Sequence, residues 1–360
     1  MTSATWDPGE FQARLQTALG AFVDDRAQAL EPLGPDAALL VQAARDAVRG
    51  GKRFRAMFCY WGFRAVRDPD PAEEEALVRA AGALELLHAS ALVHDDYMDA
   101  SDTRRGRPSV HRAFAARHRA EGWRGDPEQY GAAAAILLGD LLLSWADEQL
   151  RTCGFGPQQV LDALRYFDTT RSEVIGGQFL DVSVQARGTA DVEQSMRVLR
   201  YKSAKYSVER PLHVGAALAG GSTGVMDTLT AYGVPLGEAF QLRDDLLGVF
   251  GDPAVTGKPA GDDLTEGKRT VLVALALEAL HGTDPEGSKM LDDSLGQPLD
   301  GKEVAELQRI IVRSGAQARV EERIDELMHR SLSAIDGSRV SAEAQSTLRG
   351  LAAAATQRVV

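Results

Sequence analysis

Apolar residues recur at three- and four-residue intervals along almost the whole chain, and no segment alternates apolar with polar positions as a half-buried strand would. The pattern predicts helices over Glu10–Leu30, Asp36–Arg49, Phe54–Val66 and, as one long element, Ala72–Ser101. Further helices are predicted over Gln129–Thr152, Pro157–Arg187, Asp191–Ala219, Val225–Phe250, Thr270–His281, Lys302–Ser331 and Ser341–Arg358. Pro157 suits a first helical turn. Pro211 and Pro235 fall inside helical patterns and predict kinks or breaks. Loops are expected at Arg67–Pro71, Glu121–Glu128, Gly251–Lys268 and Gly282–Gly301. The third is longer than ordinary connections, which suits a functional lid or a disordered segment. The fourth reads as a surface loop. No linker, composition shift or fixed-period repeat divides the chain. The expected architecture is a single all-α domain over residues 1–360, a helical bundle with an N-terminal helix region in 1–35.

Composition agrees with helix on helix. Of 360 residues, 44% are hydrophobic and 26% charged, but only 6% are aromatic. The formal net charge of −12 works against nucleic acid or an anionic membrane surface as partner, because the long-range field repels both. Cys59 and Cys153 stand far apart and outside any CxxC pair, so a disulfide framework is not expected and a reducing, cytoplasmic compartment is. The first ten residues lack the basic start and apolar run of a signal peptide. The apolar windows Ala132–Leu143 and Val271–Leu280 are interrupted or short for a bilayer, so no membrane span is expected and a soluble protein is.

Candidate chemistry concentrates in Glu85–His111, ELLHASALVHDDYMDASDTRRGRPSVH, where an apolar helix ends in Asp95, Asp96, Asp99 and Asp102, followed at once by Arg104, Arg105 and Arg107. On a helix Asp95 and Asp99 share a face, with Asp96 turned by about 100°. Carboxylates so close repel unless cations neutralise them, and hard oxygen ligands suit Mg²⁺, commonly completed by phosphate oxygens and water. His88 lies on nearly the same face, although a lone helical histidine is more often structural. A second acidic group, Asp244, Asp245 and Asp252, closes another amphipathic helix, with Gln241 three residues earlier. The two groups could face each other across a bundle interior, where helix-borne carboxylates build metal sites. The pairs Asp24–Asp25, Asp262–Asp263 and Asp292–Asp293 lack such a helix and read as solvated. GGKRFR, Gly50–Arg55, gathers Lys52, Arg53 and Arg55 where a helix begins, which makes either an anion site or a capping glycine with a solvated basic turn. Lys202 and Lys205 in YKSAKYS, and Gln178 and Asp181 in GGQFLDV, complete the set.

These motifs together resemble the trans-isoprenyl diphosphate synthases, the polyprenyl synthetase family. GGKRFR is similar to its GGKRxR motif, HDDYMDASDTRRGRP to its first aspartate-rich region, and GQFLD, KSAK, FQLRDD and GKPAGDDLTEGK follow in the family's order. The resemblance covers roughly residues 40–275. It implies the isoprenoid-synthase bundle around a central cavity and Mg²⁺-dependent head-to-tail condensation of isopentenyl diphosphate with an allylic diphosphate. A homodimer is that family's habit. By position, Asp95, Asp96 and Asp99 would hold two of about three Mg²⁺ ions, and Asp244 with Asp245 the third. Arg104, Gln178, Lys202, Gln241, Lys258 and Lys268 would serve the allylic diphosphate. Lys52, Arg55, His88 and Arg105 would bind isopentenyl diphosphate.

One position departs from the family pattern. The second region usually reads DDxxD, and here its last residue is Gly248, so that cluster should lean on Asp244, with Asp245 or Asp252 acting through water. In the family the residues four and five before the first aspartate shape the floor of the tail pocket. Here they are Ala91 and Ser90, small enough to favour geranylgeranyl diphosphate over a farnesyl product, with longer chains as the alternative. A class I terpene cyclase shares the aspartate-rich helix but needs no second diphosphate site, so GGKRFR and Arg105 argue against it. A non-catalytic partner subunit would be expected to lose acidic motifs that this chain keeps.

Overall fold

Helix follows helix through the structure, a computed structural model that describes residues 6–189, 191–252 and 260–356. It begins with α1 (Pro8–Leu30), a 3₁₀ turn (Glu31–Leu33), α2 (Pro35–Ala47), α3 (Phe54–Arg64) and α4 (Pro71–Met98). The chain then makes a small hairpin, β1 (Thr103–Arg104) with β2 (Arg107–Pro108), before α5 (Val110–Ala120), α6 (Pro127–Arg151) and α7 (Pro157–Arg187). Next come α8 (Val192–Val198), a π-helix (Leu199–Glu209), α9 (Arg210–Leu218) and α10 (Thr223–Phe250). Shorter helices follow at Asp262–Thr265, Val271–Leu280, Pro285–Ser294, Gly301–Arg313, Ala316–Ile335 and Ala342–Thr356. The chain forms two compact units, Met1–Leu164 with Val214–Gly220, and Arg165–His213 with Gly221–Val360.

The first unit is arranged about α4. Asp70 caps that helix by accepting from Ala72 N and Glu73 N, Glu73 returns a bond to Asp70 N, and Pro71 takes the first position, where no donor is needed. Buried residues run from Ala76 to Asp96 on every side of α4, the signature of a central helix. Alanine and glycine let neighbours come close: a Cβ at Gly139 on α6 would collide with the His94 ring. α5 was not expected. It buries His111, Ala115 and His118 against α6, and a stripe of histidine and alanine hides the helical period.

By length and composition alone α4 and α6 are apolar enough to cross a membrane, whereas the expectation of no span was drawn from two shorter windows. In α4, 78% of that apolar window is buried within the protein. Its apolarity comes from alanine as much as leucine, and it is interrupted by Arg79 and Glu85, so it is less conspicuous than Ala132–Leu143.

In the second unit α10 packs along the π-helix and along Ala316–Ile335. Leu242, Leu246, Val249, Leu272, Ile310 and Ile324 fill the core beneath it. The single helix expected over Asp191–Ala219 is three segments, because the chain widens into π turns at Leu199. Pro211 falls at the start of α9 and Pro235 inside α10. The helix expected over Lys302–Ser331 is broken by Gly315, at φ 78°, and the expected surface loop contains Pro285–Ser294, capped by Asp284. That helix is mostly polar and buries only Gly287 and Leu291, which is why it read as a loop.

Candidate active site

At the C-terminal end of α4, Asp95 and Asp99 are partly exposed while Asp96 is buried. The chain leaves the helix through Ala100, at φ 54°, and Ser101 N donates to Asp96 O at 2.9 Å. Arg104 Nε then donates to the Asp96 carboxylate at 2.8 Å, and its Nη2 binds the same oxygen. The carboxylate turned about 100° from its neighbours is thus paired with the first guanidinium of the motif.

The hairpin that follows has a two-residue turn, Arg105 at φ 53° and Gly106 at φ 72°. Two positive φ values make a primed turn, ordinarily Asn-Gly or Asp-Gly. An arginine there carries strain of order 1–3 kcal/mol, which the surrounding contacts hold in place. Arg105 Nη1 donates to Arg49 O at 2.9 Å, and the guanidinium lies over Gly51, where a Cβ would come 3.0 Å from Nη2. Gly51, at φ 97°, suits both the backbone and the close approach. Burial, Arg53 and the other nearby guanidiniums pull the Arg105 pKa below its ordinary value, against the pull of Glu85.

GGKRFR does not act as one basic group. Arg53, at φ 58° before α3, is buried and pairs with buried Glu85 on α4 at 2.9 Å. It also donates to Gln16 Oε1 at 2.7 Å and to Val48 O at 2.5 Å. The expectation that three cations gather therefore holds for Lys52, which is exposed, and half-buried Arg55, with Arg53 turned into the core. Burial, then Arg55, Arg105, Arg104 and Arg53, push the His88 pKa well below its usual value, so its imidazole is neutral. His88 thus lies in the positive field of Arg55, Arg105, Arg104 and Arg53, surroundings that suit a multivalent anion.

Ser90 and Ala91 part company. Ser90 Oγ donates to Gly139 O on α6 at 2.8 Å and is buried in that helix contact. Ala91 is half-buried, one turn below Asp95.

In the second unit Lys202 donates to Asp181 on α7 at 2.6 Å, and Gln178 is half-buried one turn earlier. Lys202 belongs to the π-helix, a feature that often marks functional sites. Its companion Lys205 pairs with Glu173 at 2.9 Å. On α10, Gln241 Nε2 donates to Asp245 Oδ1 at 2.9 Å. Burial, Asp263 and Asp244 push the buried Asp245 carboxyl up to about 8, against that hydrogen bond and Lys268. Asp244 and Asp252 are exposed. Lys268 sits 3.4 Å from Asp263 and 2.5 Å from Glu266. Lys258 lies outside the described residues. Asp263, read as solvated, is half-buried instead, and its carboxylate lies on Gly248, where a Cβ would come within 3.0 Å. The sequence signal for it was the glycine itself, one turn after Asp244.

Among the described residues no three acidic, imidazole or thiol groups form a metal cage. The donor set still fits Mg²⁺, which keeps waters and takes one or two carboxylates plus phosphate oxygens. Asp95 and Asp99 offer hard oxygens one turn apart at a partly exposed helix end, and Asp244 is an exposed carboxylate.

The comparisons with known proteins agree with this chemistry. The sequence profile of the family described as polyprenyl synthetase matches residues 37–311. A geranylfarnesyl diphosphate synthase of Aeropyrum pernix is 32% identical over 270 residues, spanning 74% of this chain and 77% of that protein. A geranylgeranyl diphosphate synthase of Methanosarcina mazei is 34% identical over 241 residues, 66% of this chain and 68% of that one. The crystal structure of a geranylgeranyl pyrophosphate synthase from Corynebacterium glutamicum, complexed with isoprenyl diphosphate and magnesium, superposes with a TM-score of 0.96. It is 40% identical and covers 98% of this chain and 100% of its own. With the acidic helix ends, the electropositive cluster and the all-helical fold in place, the chain belongs to the polyprenyl synthetase family of prenyltransferases.

Proposed function

We propose that this prenyltransferase condenses isopentenyl diphosphate with an allylic diphosphate, head to tail and with Mg²⁺, and releases geranylgeranyl diphosphate. The observation that carries the reading is the Arg105 guanidinium, held on Arg49 O and lying over Gly51 of the basic motif, which supports a second anion site besides the acidic helix end. A cyclase would have no use for it.

In this mechanism Lys52, Arg55 and Arg105 bind the isopentenyl diphosphate, and His88, held neutral, adds a hydrogen bond without further charge. Asp95 and Asp99 would hold Mg²⁺ in the first unit and Asp244 in the second. Bound Mg²⁺ neutralises the charge that develops on a departing diphosphate. Lys202, oriented by Asp181, and Lys268 supply ammonium groups for the same kind of charge; the role the family resemblance implies for Lys258 falls outside the described residues. The Asp96 carboxylate fixes the Arg104 guanidinium, which supports an orienting role for Asp96 rather than metal ligation. Gln241 holds buried Asp245 and borders the allylic diphosphate, with Gln178. The apolar wall of α4 keeps water from the carbocation. The departing diphosphate serves as proton acceptor, so no side-chain base is required.

Ala91 sets product length in this reading, because it is the small, half-buried side chain one turn below Asp95, while Ser90 is engaged with α6. Ala91→Phe should shorten the main product to the farnesyl length or below, read by chromatography of dephosphorylated products. An unchanged profile would remove Ala91 from the pocket.

The chain is further proposed to act as a cytoplasmic homodimer without a membrane span. On α7, in the second unit, Ile175 and Phe179 are 58% and 71% exposed one turn apart, apolar surface suited to a second copy. Burial of α4 supports its reading as a core helix. Sedimentation as a monomer at micromolar concentration would refute the dimer.

A further inference from the structure

The peptide between Arg49 and Gly50 is gripped at both ends. Its carbonyl, Arg49 O, accepts from Arg105 Nη1 at 2.9 Å, and its N–H, on Gly50, donates to Gln16 Oε1 at 3.1 Å. A trans peptide points its C=O and N–H in opposite directions, so Gln16 and Arg105 stand on opposite sides of one rigid plane. Gln16 Oε1 also accepts from Arg53 Nη2 at 2.7 Å, and Gln12 Nε2 donates to Lys52 O at 3.1 Å. Both partners of Gln16 are donors and the partner of Gln12 is an acceptor, so each amide faces the loop in one orientation only.

The two glutamines lie one turn apart on α1, both half-buried. That helix is anchored independently of the loop. Phe11, Leu15, Leu19 and Val23 are buried, and Arg14 pairs with Glu74 on α4 at 2.8 Å. Leu19 reaches Gly82 on α4, where a Cβ would come 3.4 Å from its Cδ2. The loop itself is left-handed at Gly50, Gly51 and Arg53, with φ of 69°, 97° and 58°. Such backbone has no helix or strand ladder to hold it, so groups from outside must satisfy it. α1 supplies that hold, although it precedes the residues 37–311 that the family profile matches.

We propose that α1 is part of the isopentenyl diphosphate site: Gln16 is a positioning residue that holds Arg105 through the Arg49–Gly50 peptide, and Gln12 does the same for the Lys52 backbone. This rests on the reading of Lys52, Arg55 and Arg105 as the residues that bind that diphosphate. Neither glutamine needs to touch substrate. Without the Gln16 acceptor the peptide is free to turn, Arg49 O leaves Arg105 Nη1, and the guanidinium loses its place over Gly51.

The test is steady-state turnover of the full chain with Mg²⁺, varying isopentenyl diphosphate and then the allylic diphosphate, beside thermal unfolding. Gln16→Met, close in size but without the acceptor, should raise KM for isopentenyl diphosphate roughly tenfold to a hundredfold, the effect of displacing a binding group by about 1 Å. KM for the allylic diphosphate and kcat should stay near their wild-type values. In an Arg105→Ala background the same substitution should add little, because both changes act on one interaction. Gln12→Met should show the same split between the two substrates, and it carries the test if Gln16→Met does not fold. An unchanged KM for isopentenyl diphosphate in either folded variant overturns the inference, as does a rise shared by both substrates or full additivity with Arg105→Ala. Arg105→Ala separates the two levels. If it leaves KM for isopentenyl diphosphate unchanged, the reading of the site fails; if it raises that KM while Gln16→Met does not, only the inference fails.

Discussion

Arg53 and Arg55 are one residue apart in the same motif and have opposite surroundings. The Arg53 side chain is 5% exposed and the Glu85 side chain it pairs with 4%, so removing one partner leaves a buried charge. Arg53→Met is expected to cost about 3 kcal/mol of folding stability, read by denaturant unfolding. Arg55→Ala should leave stability nearly unchanged and raise KM for isopentenyl diphosphate roughly tenfold to a hundredfold, the value of a charge-assisted contact. The reverse pattern would exchange the two roles. The sequence showed three cations in a row and nothing of the left-handed backbone at Arg53 that turns one inward. The spacing of His88, Asp95 and Asp99 was legible because α4 and its C-cap carry all three. The place of Asp263 was not, because only the packing of its short helix brings its carboxylate against the Gly248 backbone.

His213 offers a second residue-level test. Its Nε2 lies 3.3 Å from Met226 O and 3.0 Å from Thr230 Oγ1, Arg210 faces its Nδ1 at 3.4 Å, and the Tyr166 ring packs on it. Burial and Arg210, with Lys205 adding and Glu173 opposing, lower its pKa to about 4. The unfolded chain therefore takes up a proton near pH 6.5 that the folded chain refuses until about pH 4. Stability from this group is fully present above pH 6.5 and is lost as pH falls toward 4, by about 3 kcal/mol in all. His213→Gln should flatten that part of the stability–pH curve; an identical slope in the variant would rule out His213 as its source.

Among the elements, the π-helix and its neighbours depend on close backbone approach. Gly177 on α7 lies against it, and a Cβ there would come 2.5 Å from Tyr201 C and 2.7 Å from Lys202 Cα. Gly237 on α10 meets Ala204 in the same way. Gly176, adjacent to Gly177, has nothing within 4 Å. Gly176→Ala should therefore raise stability by up to about 1 kcal/mol, the helix-propensity gain. Gly177→Ala should lower it by roughly 1–3 kcal/mol through overpacking and weaken diphosphate binding by moving Lys202. Equal effects at both positions, measured by thermal unfolding, would contradict this packing. The helices themselves were legible from spacing, but over Leu199–Glu209 the wider π turns bury Leu199, Ala204 and a run from Tyr206 to Glu209, which the α-helical spacing did not predict. α5 and the hairpin were missed for related reasons: one buries histidine and alanine, and the other has two residues per strand.

For the molecule as a whole, the family and the all-helical fold were legible because several weak motifs fall in one order, each on a helix end or turn that the periodicity already placed. Product length is written less plainly, since it depends on which side of α4 a small residue faces, and Ser90 and Ala91 separate only once α6 is packed. The related synthases named above are named for products of different lengths, so the relationship alone does not fix the length made here. The most direct measurement is the chain-length profile formed from labelled isopentenyl diphosphate with each allylic diphosphate primer, with Mg²⁺ present and absent. The account predicts Mg²⁺-dependent elongation that stops at geranylgeranyl diphosphate. Release of a hydrocarbon from geranylgeranyl diphosphate alone, or elongation that needs no divalent ion, would contradict it.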